Sequence, residues 1–278
     1  MKAVDGLAGR FIVEPGKPFK LSKLDPDDTA GLEDKPRYAG VLQRNIRRLF
    51  RLQTLLAASE DYAILVILQA MDAGGKDGTI RHVMTGLNPQ GCRVTSFKVP
   101  TPEESRHDFL WRVHKAVPKR GEIGIFNRSH YEDVLVARVH RIVPKRVWAA
   151  RYESINDFEA LLARNHVVIL KFFLHISKEE QARRLAERIE KPHKNWKVSP
   201  SDIEERKFWD DYTEAYQDAL AKCSTPHAPW YVIPANKKWF RNLAVAQILA
   251  DTMAGLDMKY PKLSYDAHEL IAALKSPA

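Results

Sequence analysis

Residues 69–80, QAMDAGGKDGTI, hold the side chains best suited to chemistry. An apolar run at 62–69 ends there, a glycine-rich turn follows, and a helical pattern starts at Lys76. Successive backbone N–H groups in such a turn form a concave anion site, and the helix N-terminus adds partial positive charge. Ala73, Gly74, Gly75, Gly78 and Thr79 are expected to form the phosphate cradle, with the Lys76 ammonium on the phosphoryl oxygens. The match to G-x-x-x-x-G-K-[ST] is imperfect. Ala70 stands at the first glycine, Asp77 replaces the Ser/Thr, and Thr79 comes two positions late. Asp77 either ligates Mg²⁺, directly or through water, or is a first-turn carboxylate favoured by the helix dipole. Asp72 inside the turn repels phosphate unless a metal or a cation lies beside it. The competing reading is an ordinary strand-to-helix turn.

Two further segments carry charge in useful places. Residues 121–133, GEIGIFNRSHYED, read as an apolar strand ending in polar residues that open a helix. In phosphate-loop enzymes this strand supplies an acidic metal-holding residue. Here the position is Asn127, a neutral ligand at best, and Arg128 follows with a guanidinium able to hold phosphate bidentately. Glu132 and Asp133 are either functional or compensate the helix dipole. The third segment is 177–206, where Arg184, Arg188 and Lys191 share a helical face and Arg183, Lys194 and Lys197 add positive charge. Glu180 and Glu187 could pair with them in an ordinary solvated helix. Pro192 and Pro200 interrupt the helices as a closing lid requires, and closure would exclude water and bring cations to a transferring phosphoryl group.

Together these segments resemble the polyphosphate kinase 2 family. The motifs are MDAGGKDG, IFNRSHYEDVL, KPHKNWKVSPSD and APWYVIPANKKWFRNLAV, with TGLNPQGCRV and FKVPTPEE between them. The likeness runs from about Pro18 to Met253. It implies a three-layer α/β phosphate-loop kinase fold like that of thymidylate kinases, with a parallel central sheet and a helical lid at about 177–210. It implies Mg²⁺-dependent, reversible phosphoryl transfer between inorganic polyphosphate and a nucleotide. Carried over by motif, Asp72, Lys76, Asp77 and Arg128 are catalytic, Asp72 and Asp77 hold the metal, and Arg183, Arg184 and Arg188 face polyphosphate. Many relatives have Asp-Arg-Ser where this chain has Asn127-Arg128-Ser129, which leaves Asp72 as the better metal candidate. The NRSHYEDV form looks like the subgroup that accepts AMP as well as ADP. Asn127 and Glu132 are then placed at the nucleotide. Asn88, in the loop after the phosphate-loop helix, and Lys98, at the end of the next strand, lie near the acceptor in a nucleotide-kinase-like geometry; the competing reading makes each an ordinary turn residue. A homo-oligomer, dimer or tetramer, is also expected.

These residues need elements to hold them. Strands are predicted at 62–69, 93–98, 122–127, 167–174 and 230–233, with helical patterns at 38–59, 76–85, 102–116, 130–140, 145–164, 178–190, 201–222 and 237–253. Their alternation argues for a parallel sheet covered on both faces. Residues 1–35 read as an irregular arm and 36–278 as one domain. The chain carries 44 Lys+Arg against 35 Asp+Glu, a net +9 that points to an anionic partner. With 45% hydrophobic residues, disordered and low-complexity classes are excluded. Two distant cysteines, no secretory signal and no 18-residue apolar stretch fit a cytoplasmic protein with no membrane partner. Adenine nucleotides are the expected acceptors, with guanine left open. An ATP-dependent nucleoside or nucleotide kinase is the rival enzyme. A non-catalytic polyanion or nucleic-acid binder is the rival from another class, but only Trp196 clearly interleaves with cations as a base-stacking platform does.

Overall fold

The structure is a computed structural model that describes residue 4, residues 6–33 and residues 35–275. Five parallel strands form its centre: β1 (Ala63–Gln69), β2 (Cys92–Ser96), β3 (Ile123–Asn127), β4 (Val167–His175) and β5 (Trp230–Pro234). Their order is β2-β3-β1-β4-β5. Every residue of β1 is buried, as expected of a strand covered on both faces. The register pairs Leu68 with Asn127 across β1 and β3. That pairing brings the ends of the two chemistry-bearing strands side by side.

The helices are α1 (Leu7–Phe11), α2 (Lys35–Ser59), α3 (Lys76–Val83), α4 (Trp111–His114), α5 (Val136–Val139), α6 (Lys145–Arg164), α7 (Lys178–Glu190), α8 (Pro200–Glu205), α9 (Trp209–Cys223), α10 (Lys238–Ala254) and α11 (Ala267–Lys275). Helices α2 and α3 pack on α10, while α5 and α6 pack on α9, giving a helical group on each side of the sheet. The α/β class and the parallel sheet therefore stand as expected.

Three predicted helices are shorter or broken. In 102–116 the Asp108 carboxylate accepts from Leu110 N at 2.9 Å, and only α4 is helical beyond it. Such a local side-chain bond offers the backbone an alternative to the helix. In 130–140 the first turn is a 3₁₀ turn, His130–Asp133, because His130 and Tyr131 are drawn into the core by the partners described below. The long pattern at 201–222 breaks at a 3₁₀ turn, Arg206–Phe208. There the Arg206 guanidinium donates to Lys178 O and Gln181 Oε1, which binds the two parts of the lid together. Helix α11 lies beyond the predicted elements.

The arm is irregular over most of its length, yet it belongs to the main core. Leu7, Phe11, Val13, Leu21 and Leu32 are buried in the same apolar cluster as the sheet. Val13 N donates to Trp230 O at 2.8 Å, and Ser224 Oγ donates to Val13 O. Gln217 brackets the arm, accepting from Leu21 N at 2.6 Å and donating to Phe19 O at 2.7 Å. Asn236 donates to Asp27 at 2.7 Å and its backbone N to Pro26 O at 3.2 Å. The spaced apolar residues Leu7, Phe11 and Val13 are the signal of this in the sequence.

Candidate active site

The phosphate loop leaves β1 through Ala70 and enters α3 at Lys76. Two of its residues have left-handed backbone: Ala73 at φ 58° and Gly75 at φ 105°. A side chain on Gly74 would put its Cβ 2.5 Å from the Cβ of Ala70 and 2.8 Å from Met71 O, so only glycine closes this turn. Gly74 N donates to Met71 O at 2.9 Å. Lys76 reaches back across the loop, its Nζ donating to Ala70 O at 3.0 Å.

The end of β3 faces the loop. Asn127 Nδ2 donates to Asp77 Oδ1 at 2.8 Å. Arg128 also has left-handed backbone, φ 63°, its N–H donates to Leu68 O, and its Nη2 pairs with Asp72 Oδ1 at 3.3 Å. Strained non-glycine backbone of this kind costs of order 1–3 kcal/mol and persists where the surroundings fix it. The cation that Asp72 required is therefore Arg128. Burial works against the Arg128 charge, but Glu132 and Asp72 outweigh it and raise its pKa. Burial likewise pushes the Glu132 carboxyl up, while Arg128 and Lys76 pull it back.

Burial lowers the pKa of Lys76, with Asp72 opposing it. The free enzyme should therefore lose its loop cation below the ordinary lysine range. We expect kcat/KM to fall at alkaline pH, starting below pH ~10.4. Between the folded value and the unfolded one, the unfolded chain binds the extra proton, so the Lys76 contribution to stability rises with pH. A pH–rate profile compared with thermal melts over the same range checks both signs.

Some predicted residues do different work. Arg184 does not sit on an open polyphosphate face. It is buried, its Nη1 donates to Ala73 O and Gly74 O at 3.0 and 3.1 Å, and its Nη2 donates to Ala235 O and Asn236 O. Its Nε bonds Glu180 at 2.6 Å. Arg184 thus clamps the loop from behind, and Gln181 helps by donating to Asp72 O at 3.0 Å. Arg183 is exposed but chelated by Glu180, with both contacts at 2.7 Å. Arg188 is half-buried and has no hydrogen-bond partner among the described residues. Lys191 and Lys194 both pair with Glu187, and the side chain of Lys197 lies outside the described residues.

Thr79 is fully buried and gives its hydroxyl to Gly75 O at 3.2 Å, so it serves the helix rather than the cradle. Gly78 lies against Arg241, not at an open surface. Asn88 caps a 3₁₀ turn by accepting from Gln90 N, and its backbone is held at both ends by Gln53. Lys98 is exposed, and its carbonyl accepts from Arg112. Neither Asn88 nor Lys98 lines the cleft described next; Val99 does. Asp133, the other first-turn carboxylate, pairs with Arg151 at 3.2 Å.

A cleft of about 370 Å³ opens from Asp72, Arg128 and Glu132 towards the lid. Its lining also includes Trp209, Tyr212 and Tyr216 of α9, and neither tyrosine was a site residue by sequence reasoning. The lid is latched there. Glu205 Oε2 lies 3.1 Å from His140 Nε2 and accepts from Tyr212 OH at 3.0 Å. The cleft thus offers a guanidinium, carboxylates and aromatic side chains in one lining. Among the described residues, no three His, Cys, Asp or Glu side chains gather as a ready metal site. Asp72 and Asp77 each keep one carboxylate oxygen without a hydrogen-bond partner among the described residues. This donor set fits Mg²⁺, which commonly takes one or two carboxylates and completes its shell with substrate phosphates and water.

The sequence pattern of the polyphosphate kinase 2 family matches residues 32–261. The chain belongs to that family. It is 54% identical over 254 residues to the AMP/ADP-polyphosphate phosphotransferase of Meiothermus ruber, covering 91% of this chain and 95% of that one. It is 47% identical over 265 residues to the ADP-polyphosphate phosphotransferase of Rhodopseudomonas palustris, covering 91% and 92%. The crystal structure of polyphosphate kinase 2 from Arthrobacter aurescens TC1 superposes with a TM-score of 0.94 at 43% identity, covering 99% of each chain. This polyphosphate kinase 2 family member is therefore a phosphotransferase with a phosphate-loop kinase fold. Asp72 of its loop, Arg128 and the lid residues Gln181 and Glu205 border one cleft.

Proposed function

We infer that the protein transfers the terminal phosphoryl group between inorganic polyphosphate and adenine nucleotides, taking AMP to ADP and ADP to ATP. The observation that carries this reading is the Asp72–Arg128 pair, which joins the phosphate loop to the lid-covered cleft. A donor phosphate chain on the loop and an acceptor phosphate in the cleft would meet at that pair. The 54% identity to a relative named for both AMP and ADP supports the two acceptors.

The acceptor's terminal phosphate oxygen attacks the end phosphorus of polyphosphate. The new P–O bond forms as the bond to the next phosphate breaks, and the chain leaves one phosphoryl group shorter. That attacking oxygen is largely ionised at neutral pH, so no strong base is needed. The barrier lies in bringing two polyanions together in line. Lys76, the loop N–H groups and Arg128 offset the charge, while α8 and α9 exclude water. Asp72 and Asp77 would hold Mg²⁺, which supplies further charge neutralisation on the phosphate oxygens. The buried His130 and His114, which packs edge-on against Phe158, have structural settings, in keeping with transfer that forms no phosphohistidine.

The test is nucleotide product analysis with long-chain polyphosphate, Mg²⁺ and AMP, ADP, GMP or GDP offered separately, with no ATP added. We expect ADP and then ATP from AMP. Product from ADP alone would remove the AMP reading. Activity only when ATP is supplied would replace polyphosphate with ATP as donor.

A further inference from the structure

Arg241 lies on α10, outside the loop, the β3 end and the lid, yet its guanidinium rests against the phosphate loop. It is 2% exposed. A Cβ at Gly75 would fall 1.9 Å from its Nη1, and one at Gly78 would fall 3.1 Å from its Nη2. The glycines at these positions therefore make room for a cation. Gly75 is also the residue that opens α3, so the guanidinium stands at the positive end of a helix dipole.

Among the described residues no carboxylate pairs with it. Nε and Nη2 both donate to Asn242 Oδ1, at 3.1 and 2.8 Å, and Nη1 has no hydrogen-bond acceptor among the described residues. The nearest interacting charge is Arg184, another cation, whose Nη1 would be 3.6 Å from the same Gly75 Cβ. Burial, with Arg184 adding to it, lowers the Arg241 pKa to about 9, so the group is still charged at neutral pH. A buried, unpaired guanidinium beside a second one and a helix N-terminus is an expensive arrangement in an empty protein. Arg184 has Glu180 as a counter-ion. Arg241 has none among the described residues.

We propose that Arg241 is a positioning residue of the phosphate loop, a fixed cation behind Gly75 and Gly78 whose counter-charge is the phosphate chain bound on the other side. This rests on the polyphosphate reading of the site and adds a residue to it. Asn242 complements Arg241 as a neutral acceptor that orients the guanidinium without cancelling its charge. An aspartate in its place would satisfy the same N–H groups and neutralise the cation.

The experiment uses tripolyphosphate binding to the full chain, by calorimetry and by thermal shift, without nucleotide. Arg241→Met should raise the tripolyphosphate Kd by about tenfold or more, as loss of a nearby charge shielded from water would. The empty variant should melt no lower than the wild type, and its shift on adding tripolyphosphate should shrink. Arg241→Lys should restore most of the affinity. Asn242→Asp, which keeps every hydrogen bond of the guanidinium, should weaken binding in the same direction, and it decides the matter if the methionine variant does not fold. A wild-type Kd in either variant overturns the proposal, as does a lowered melting temperature with an unchanged tripolyphosphate shift. Binding is read apart from turnover. Arg241-dependent binding without nucleotide product would refute only the polyphosphate-kinase reading, and normal turnover with unaltered binding would refute only the role of Arg241.

Discussion

Lys76→Ala lowers kcat by roughly 10²–10³-fold while shifting the melting temperature little. The ammonium is the one lysine of the loop, and among the described residues its hydrogen-bond acceptor is Ala70 O, with Asp72 the leading carboxylate acting on it. Loss of one well-placed charge at a developing anion costs on the order of 10²–10³ in rate. Its removal does not open a core cavity, because Lys76 is half-buried at the loop surface. It also removes a charge that burial already disfavours, as the lowered pKa records. Steady-state kinetics with polyphosphate and ADP, set beside thermal melts of the same preparations, provide the check. An active Lys76→Ala protein would remove the loop from the mechanism.

The largest effect on stability belongs to a residue that touches no substrate. Lys171→Met is expected to cost about 3–5 kcal/mol, because it leaves its partner charge buried. Lys171 is 0% exposed in the middle of β4. Its Nζ donates to Glu159 Oε2 at 2.5 Å, Cys223 O at 2.6 Å and Tyr131 OH at 2.8 Å. Tyr131 OH in turn donates to Glu159 Oε1 at 2.9 Å, and His130 Nε2 lies 3.2 Å from the same oxygen. Burial alone would push the Glu159 carboxyl up, but Lys171 and His130 hold it below its ordinary value. For a chain of this size the loss corresponds to a melting temperature lower by roughly 6–20 °C. Pairing Lys171→Met with Glu159→Gln should recover much of it, since the second change removes the stranded charge. A single variant that melts like the wild type would contradict the network. Catalysis should suffer too, because His130 and Tyr131 lie between Arg128 and Glu132 in the chain. The network fixes the segment that carries the site.

Much of this was legible in the sequence, and the exceptions have physical causes. Strands β1, β3, β4 and β5 emerged from short apolar runs because they are almost wholly buried, whereas β2 lies at the sheet edge with no fully buried residue, and β1 was marked by the glycines that follow it. The loop and Arg128 were visible because glycine amides, a lysine and a guanidinium suit phosphate, and Asp72 stood out as a carboxylate that needs a cation or metal beside it. What local pattern could not supply was the destination of a side chain. Arg184 and Arg188 share a helical face by spacing, yet one is spent on loop carbonyls and the other is not. Asn88 and Lys98 sit in loops whose proximity to the acceptor depends on tertiary geometry, and the structure gives Asn88 a capping bond instead. The helix expected at 130–140 failed because a buried Lys–Glu pair outweighs local propensity. Arg241 went unnoticed inside ANKKWFRNLAV because a cation on an otherwise apolar helix gives no sign of what lies opposite.

The arm has a consequence for synthesis. Its hydrogen bonds run from Val13, Phe19, Leu21 and Pro26 to residues between Gln217 and Asn236, about 200 positions later. The arm therefore leaves the ribosome about 200 residues ahead of its partners. At ~5–20 residues per second the wait is roughly 10–40 s, during which Leu7, Phe11 and Leu21 have no surface to bury against. Strands and helices before β5 can form while the arm waits, and β5 and α10 then arrive to receive a strap already made. A nascent chain stopped short of β5 should leave that strap open to protease, and one extended past α10 should protect it.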